Sequence, residues 1–210
     1  MVLPIEKLTI IPMIKLWVKK VTGSENLPSK GAAILAASHS SYADHLIIGA
    51  YIATKVNRRF HFLAKKEHFK GLQKFWHIYV GAIPLDRKKG GKQALKIALN
   101  LLNKGKLVII YPEGTRTFTG RLQKAKTGVA RLALQSKAPV IPIGLVGTFE
   151  ILPKGKYLPK MKRAEISIGK PMQFPQHYDK KINKRILNKV TVSIMKEIAK
   201  LSRQKYNFRH

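Results

Sequence analysis

Residues 32–46 read AAILAASHSSYADHL, and this short stretch contains the pattern that decides the fold. Its first part, residues 32–37, is a continuous apolar run of the kind that buried parallel strands show. A polar break follows at residues 39–43, and a helix is predicted from Asp44 to Lys55. A strand that leads through a polar turn into a helix is the repeating unit of α/β domains.

The remainder of the chain continues this alternation of strands and helices. Further strands are predicted over residues 58–64, 81–85, 107–111, 139–146 and 165–169, and further helices over residues 67–78, 92–103, 127–136 and 179–205. The pattern predicts a single α/β domain with a largely parallel sheet flanked by helices, plus an N-terminal amphipathic helix. In such domains the functional site lies at the carboxyl ends of the strands.

Three regions are predicted along the 210 residues: an amphipathic membrane-surface helix over 1–22, the α/β domain over 28–178, and a basic C-terminal helix packed on it over 179–210. In the first region Trp17 and other apolar side chains gather on one side, with lysines towards the other. A tryptophan with basic flanks suits a membrane interface, but a helix packed on the domain shows the same pattern. Both interpretations stay open.

The chain carries no segment expected to cross a membrane or to direct secretion. Its longest apolar runs fall well short of the ~20 residues that a bilayer requires. The first eleven residues include Glu6 and Lys7 and lack the small-residue cleavage site of a signal peptide. A protein that lies on a membrane surface remains compatible with the sequence.

The charge balance is the strongest compositional signal. Forty-one Lys and Arg stand against ten Asp and Glu, which gives a formal net charge of +31. Such a surface attracts polyanions, either nucleic-acid backbones or anionic lipid headgroups. A nucleic-acid-binding module would need basic residues interleaved with aromatic ones, or a known fold signature, and neither is visible. The chain has no cysteine, which excludes disulfides, thiolate metal sites and a cysteine nucleophile.

His39 and Asp44 form the first candidate constellation, in the segment SHSSYADHL. On a continuous helix their side chains would point ~140° apart, so they meet only if the chain turns between them. Serines at 40 and 41 favour such a turn. If Asp44 opens the next helix, its carboxylate can hydrogen-bond one ring nitrogen of His39 and leave the other as a general base. The alternative is an ordinary loop histidine followed by an N-cap aspartate.

The segment YPEGTRTFTG at residues 111–120 directly follows a predicted buried strand. Gly114 allows a close backbone approach, Thr115 offers a hydroxyl, and Arg116 offers a planar fork of donors that matches phosphate oxygens. Glu113 can hold Arg116 in place or contact the hydroxyls of a substrate. The alternative is a surface turn with a salt bridge.

Two further segments are weaker signals when taken singly. GAIPLDRK at residues 81–88 places Arg87 after a short strand, and VIPIGLVG at residues 140–147 is a buried strand that contains Pro142. A proline inside a strand marks an edge, a bulge or a place where a ligand approaches. The alternative for both segments is plain core structure.

In this order, the four segments resemble the glycerolipid acyltransferase family, specifically its 1-acyl-sn-glycerol-3-phosphate acyltransferase (PlsC-like) group. That family shows a histidine and an aspartate separated by four residues, then GxIPxDR, then FPEGTRS, then a VIPI-type strand. The corresponding segments here are HSSYAD, GAIPLDR, YPEGTRT and VIPIGL, and the resemblance covers roughly residues 28–171. Ser38 departs from the asparagine that often precedes the histidine.

The resemblance implies a reaction and a role for each residue. His39 would take the proton of an acceptor hydroxyl while Asp44 orients it, and the oxygen would attack an acyl thioester directly. Arg87, Glu113, Gly114, Thr115 and Arg116 would bind the phosphate and glycerol of the acceptor, and Pro142 would belong to a substrate pocket.

The same resemblance implies the partners of the protein. The acyl donor would be acyl-CoA or acyl carrier protein, and the acceptor a lysophospholipid. No metal or bound cofactor is implied. The expected location is the cytoplasmic face of the cell membrane, where the protein would bind peripherally to an anionic surface, and no nucleic acid is expected as a partner.

Overall fold

The computed structural model describes residues 10–71, 73–86 and 90–208, and a seven-stranded sheet runs through its centre. The strands are β1 (Val18–Thr22), β2 (Ala33–Ala37), β3 (Phe60–Lys65), β4 (Ala82–Leu85), β5 (Leu107–Ile110), β6 (Val140–Val146) and β7 (Ala164–Ile168). Their order across the sheet is β1-β7-β6-β2-β5-β3-β4. All neighbours are parallel except β6 and β7, which are antiparallel. The prediction of a largely parallel sheet is confirmed.

Helices cover both faces of this sheet. They are α1 (Ile10–Lys15), α2 (Asp44–Lys55), α3 (Gln73–Tyr79), α4 (Gly90–Asn103), α5 (Gly128–Ser136), α6 (Thr148–Ile151) and α7 (Lys184–Leu201). Apolar side chains of α1 and α2 join one core cluster, while those of α4, α5 and α7 join a second cluster on the opposite face. The central strand β2 contributes alternate residues to the two clusters, and all five of its residues are buried. This explains its unbroken apolar sequence, because both of its faces are covered.

The predicted helix over residues 1–22 is wrong at its C-terminal end. Residues 18–22 form the edge strand β1, which pairs in parallel with β7, and the helix α1 stops at Lys15. The sequence VKKVT holds two valines and a threonine, whose branched side chains favour a strand where an open sheet edge is available. Residues 1–9 lie outside the described residues. Trp17 is tied to the body of the domain, since its indole Nε1 donates to the carbonyl of Lys160 at 3.0 Å.

Pro142 lies inside the sheet and not at its edge. Its strand, β6, runs between β2 and β7, and the regular pairing with β7 begins one residue later, at Ile143 opposite Ile168. The missing N–H of the proline therefore falls where the ladder to β7 is interrupted. Gly144 allows the end of α7 to approach this strand closely: a Cβ there would lie 2.3 Å from the carbonyl carbon of Leu201.

The basic C-terminal helix is shorter than predicted and packs on the sheet. α7 runs from Lys184 to Leu201, and the side chain of Asn183 caps its start by accepting from the Ile186 N–H at 2.9 Å. The helix packs against β6, β2 and α5. Within the described ranges 10–71, 73–86 and 90–208, no helix has the length and apolar character that a membrane crossing requires.

Candidate active site

His39 and Asp44 meet at the carboxyl end of the central strand, as the predicted turn requires. His39 follows β2 by two residues, and Asp44 is the first residue of α2. The Nδ1 atom of His39 lies 2.9 Å from Oδ2 of Asp44, and the same carboxylate oxygen accepts the backbone N–H groups of Ser40 and Ser41, each at 2.9 Å. Asp44 is fully buried. The carboxylate thus fixes the turn and selects the protonated form of Nδ1, so that Nε2 is the atom able to accept a proton.

The loop at residues 112–125, here called the PEGTR loop, holds the backbone of His39 on both sides. Its N–H donates to Oε1 of Glu113 at 2.8 Å, and its carbonyl accepts the N–H of Thr117 at 3.1 Å. The other carboxylate oxygen of Glu113 accepts the N–H of Gln123 at 2.8 Å. Glu113 is buried, and burial raises its pKa to about 7 against these hydrogen bonds, which lower it. Both carboxylate oxygens of Glu113 are thus engaged by backbone N–H groups, and one of them holds the backbone of His39 in place.

Tyr111 supports the imidazole of His39 from one side. The two rings are stacked with their centroids 3.7 Å apart and their planes 14° apart. Tyr111 directly follows β5, which is the parallel neighbour of β2, so the ends of the two strands bring these residues together. Tyr111 was not among the candidate residues predicted from the sequence. The signal that could have found it is an aromatic side chain placed between a buried strand and the PEGTR loop.

A cavity of about 550 Å³ extends from His39 to the N-terminal turns of α4 and α5. Most of its wall is apolar and comes from β3, β4, α4, β5 and α5. The apolar residues include Phe62, Leu63, Leu85, Ala94, Leu95, Ile110, Val129 and Leu132. Near His39 the lining becomes polar, with Gly114, Lys126 and Thr127. The cavity therefore suits a ligand that combines an aliphatic chain with a polar or anionic end.

Two cationic side chains lie close to this region: Lys126 lines the cavity, whereas Arg116 contacts the turn after His39 and is not among the lining residues. The guanidinium carbon of Arg116 lies 3.6 Å from the centre of the Tyr42 ring, in a cation–π contact with the turn that holds His39. Gly114 has a φ of +74°, and a Cβ there would lie 3.3 Å from the side-chain carbons of Lys126. The Lys126 side chain therefore passes close to Gly114, where a larger residue would crowd it. Thr115 is exposed, and its carbonyl accepts from the side-chain amide of Gln123 at 3.1 Å.

One predicted site residue, Pro142, is not brought to this cluster. Pro142 is buried beside Gly169 and Leu201 in the layer formed with α7, and it is not among the residues that line the cavity. Arg87 lies outside the described residues. Lys126 was missed by the sequence analysis, because a single lysine in a chain with so many basic residues carries no local signal.

The C-terminal tail, residues 202–208, hydrogen-bonds to the second half of the PEGTR loop. The side chain of Gln204 accepts the N–H of Leu122 at 2.8 Å and donates to the carbonyl of Gly120 at 3.2 Å. The hydroxyl of Tyr206 accepts the N–H of Ala125 at 3.0 Å. The tail is thus part of the support for the site, which the sequence pattern had not indicated.

A second histidine, His45, follows Asp44 but differs from His39 in character. Its ring packs on Phe62 with the centroids 4.5 Å apart. Burial, followed by the charges of His39 and Arg116, lowers the pKa of His45 to about 3, so that it stays neutral. Over the part of the chain that the structure describes, no three His, Asp or Glu side chains form a group able to hold a metal ion.

Comparison with known proteins identifies the family of this chain. The family model described as Acyltransferase matches residues 19–146. The chain is 33% identical over 155 residues to a 1-acyl-sn-glycerol-3-phosphate acyltransferase of Bacillus subtilis, and the match covers 73% of each chain. It is 34% identical over 152 residues to the chloroplastic enzyme LPAT1 of Arabidopsis thaliana, but spans 40% of that longer relative.

The fold is also similar to a solved structure. The crystal structure of the 1-acyl-sn-glycerophosphate acyltransferase PlsC from Thermotoga maritima superposes with a TM-score of 0.69 at 24% identity, over 96% of this chain and 83% of that one. The family match spans more than half of the chain and contains both His39 and the PEGTR loop. This chain belongs to the acyltransferase family, and within it to the group of the 1-acyl-sn-glycerol-3-phosphate acyltransferases.

Proposed function

We propose that this protein transfers a fatty acyl group from a thioester, either acyl-CoA or acyl carrier protein, to the sn-2 hydroxyl of 1-acyl-glycerol-3-phosphate. The observation that carries the proposal is the His39 imidazole, oriented by buried Asp44 at 2.9 Å and placed at the polar end of an apolar cavity. The names of the relatives from Bacillus subtilis and Arabidopsis thaliana support the acceptor.

In the proposed reaction, His39 acts as a general base. Its Nε2 takes the proton of the acceptor hydroxyl as that oxygen attacks the thioester carbonyl carbon. Asp44 stabilises the resulting imidazolium, because its carboxylate already lies against Nδ1. The tetrahedral adduct then collapses, the carbon–sulfur bond breaks, and the imidazolium returns its proton to the departing thiolate. No covalent acyl-enzyme forms in this scheme.

The cavity provides separate places for the two ends of a lipid. We assign its apolar wall to an acyl chain, since leucine, valine and phenylalanine side chains offer no polar competitor. We assign the polar end to the phosphate, with Arg116, Lys126 and the backbone at Gly114 as its partners. Thr115 and Arg87 remain proposed contributors to this end. The placement of Pro142 supports a role in packing and not in binding.

We further propose that the protein acts at the cytoplasmic face of the membrane without crossing it. The acceptor and the product both reside in a bilayer, and the formal net charge of +31 favours an anionic surface. Of the two interpretations of the segment around Trp17, the hydrogen bond from its indole N–H to the carbonyl of Lys160 favours packing on the domain.

One assay tests the proposal and the choice of acceptor. Purified protein is incubated with labelled acyl-CoA, or with acyl carrier protein loaded with the same acyl group, and with a panel of lysophospholipids. We expect diacyl product with 1-acyl-glycerol-3-phosphate and little with acceptors whose phosphate bears choline or ethanolamine. Efficient use of those acceptors, with none of lysophosphatidic acid, would contradict the assignment of the acceptor. Absence of transfer to every acceptor would contradict the acyltransferase activity itself.

A further inference from the structure

The loop between α6 and β7 carries an unusual set of exposed side chains. Residues 153–163, here called the basic loop, read PKGKYLPKMKR, with five basic residues and no acidic one. Between these charges stand three large apolar side chains that are almost fully exposed: Tyr157 at 91%, Leu158 at 84% and Met161 at 76%. Burying them against the protein would be favourable, so their exposure indicates a surface that another phase or partner covers.

The backbone of the basic loop is anchored at its C-terminal half. The Lys160 N–H donates to the carbonyl of Ile151 at 2.8 Å, and the Lys160 carbonyl accepts the indole N–H of Trp17. Nε of Arg163 donates to the carbonyl of Leu16 at 3.1 Å. These bonds place the loop beside the end of α1, where Met13 of the helix and Leu16, which follows it, are themselves 53% and 54% exposed. The apolar surface is therefore built from two segments of the chain.

The same loop is connected to the candidate active site. The residue that precedes it, Leu152, accepts at its carbonyl from the Ser41 hydroxyl at 2.8 Å and from the Tyr42 N–H at 3.0 Å. Within the loop, the ammonium of Lys154 lies 3.8 Å from the centre of the exposed Phe118 ring of the PEGTR segment. The basic loop thus adjoins both the turn that carries His39 and the PEGTR loop.

We propose that the basic loop, together with Met13, Leu16 and Phe118, is the surface by which the protein enters the interface of an anionic bilayer. This inference rests on the proposed function in one respect, namely that the acceptor is a lipid. Apolar side chains alternating with lysines match the acyl and headgroup layers of such a membrane, because the first can insert while the second contact lipid phosphates. A nucleic acid would satisfy the charges, but would leave the exposed leucine and methionine without a hydrophobic partner.

Two sets of variants separate the apolar and the electrostatic contributions. The apolar variant carries Tyr157→Ser, Leu158→Ser and Met161→Ser, and its control carries Phe75→Ser and Ile78→Ser at exposed positions of α3. The charge variant carries Lys156→Gln, Lys160→Gln and Lys162→Gln. Its control carries Lys170→Gln, Lys181→Gln and Lys184→Gln, which change the net charge equally at exposed positions outside the loop.

Binding is measured by co-sedimentation with vesicles of phosphatidylcholine alone or mixed equally with phosphatidylglycerol, at low and high salt. We expect the apolar variant to bind the mixed vesicles at least about tenfold more weakly at both salt concentrations. The charge variant should lose affinity mainly at low salt, since high salt already screens the electrostatic attraction between the lysines and the anionic lipids. Both controls should remain within about twofold of wild type. Equal losses in variant and control would overturn the proposal, as would tighter binding to a single-stranded oligonucleotide than to the vesicles.

A second readout separates this inference from the proposed function. Acyl transfer is assayed with a short-chain lysophosphatidic acid that is soluble as a monomer, and then with a long-chain acceptor embedded in vesicles. We expect the apolar variant to match wild type on the soluble acceptor and to lose about tenfold or more on the embedded one. If the wild-type protein binds vesicles but transfers no acyl group, the proposed function is contradicted and the proposed membrane surface is not. Equal activity of variant and wild type on the embedded acceptor would overturn the membrane surface alone.

Discussion

The ring of Tyr111 lies flat against the imidazole of His39, with 3.7 Å between the ring centres. Asp44 holds the same imidazole through Nδ1, so the ring is restrained both in its plane and perpendicular to it. The Tyr111 hydroxyl is buried and has no hydrogen-bond partner among the described residues. The stacking surface, and not the hydroxyl, is therefore the part of Tyr111 that contacts His39.

We expect Tyr111→Phe and Tyr111→Leu to differ sharply. Phenylalanine keeps the stack and removes an unsatisfied hydroxyl, so kcat should stay within about twofold and the free energy of unfolding should rise by up to about 1 kcal/mol. Leucine removes the planar support and should lower kcat by about tenfold or more through misplacement of the base. Steady-state kinetics and thermal melts check both variants. A large loss of kcat in Tyr111→Phe would show that the hydroxyl acts in the reaction.

Removal of the proposed base should abolish most of the activity. We expect His39→Ala to lower kcat by at least ~10²–10⁴-fold, the range typical of general-base catalysis. The His39 side chain is only 14% exposed and packs on Tyr111, so a lower Tm is also expected. Asp44→Asn serves as a companion variant, because the amide oxygen can still accept the N–H groups of the turn. Because the same oxygen faces Nδ1 of His39, this variant removes the negative charge and keeps the orienting hydrogen bond, and a folded Asp44→Asn protein with wild-type kcat would contradict stabilisation of the imidazolium by that charge.

Arg116 is expected to affect the acceptor more than the donor. Arg116→Ala should raise the KM of the acceptor more than that of the acyl thioester, because a phosphate matches the guanidinium fork. Arg116→Lys should restore only part of the effect, since a point charge lacks the fork and the planar contact with Tyr42. Tyr42→Phe is the matched control and should change neither KM, because the aromatic face remains. Equal changes in both KM values would mean that Arg116 supports the loop and not the ligand.

Glu113 should make stability depend on pH. Its pKa is about 7 in the folded protein and about 4.5 when unperturbed, so the folded state retains a proton that the unfolded state releases between these values. This stabilisation is complete below pH 4.5 and is lost as the pH rises through 7, with a total of about 3 kcal/mol. Glu113→Gln cannot titrate. Relative to wild type, the unfolding free energy of Glu113→Gln should therefore rise by about 3 kcal/mol between pH 4 and pH 8. If the unfolding free energies of the two proteins instead change in parallel with pH, the raised pKa of Glu113 is contradicted.

The alternation of apolar strands with helices predicted most of the sheet. A strand that is buried on both faces needs apolar residues at every position, and such a run is easily recognised in the sequence. β2 and the helix from Asp44 to Lys55 were predicted to within one residue. The pattern failed at residues 18–22, where an edge strand buries little and the spacing of the valines also fits a helix. Such a strand is decided by the open edge of β7, which is distant in sequence.

The candidate site was predicted as a set of residues but not as a set of contacts. The turn from His39 to Asp44 follows from local chemistry: the two serines favoured it, while a loop histidine followed by an N-cap aspartate stayed open as the alternative. The place of Glu113 was not derivable, because its partners are backbone groups from two loops that the sheet brings together. Hydrogen bonds of this kind depend on which loops the sheet topology brings together, and residue patterns within one segment carry no information about that.

The position of β1 has a consequence for the order of synthesis. Val18 pairs with Ala164, so the first strand to leave the ribosome finds its neighbour only after the last strand of the sheet has been made. Until then the N-terminal segment stays outside the growing sheet, and the antiparallel edge of β6 is open as well. The contacts of Leu16 and Trp17 with the basic loop likewise need residues 160–163, so the two segments of the proposed membrane surface can meet only at this late stage of synthesis.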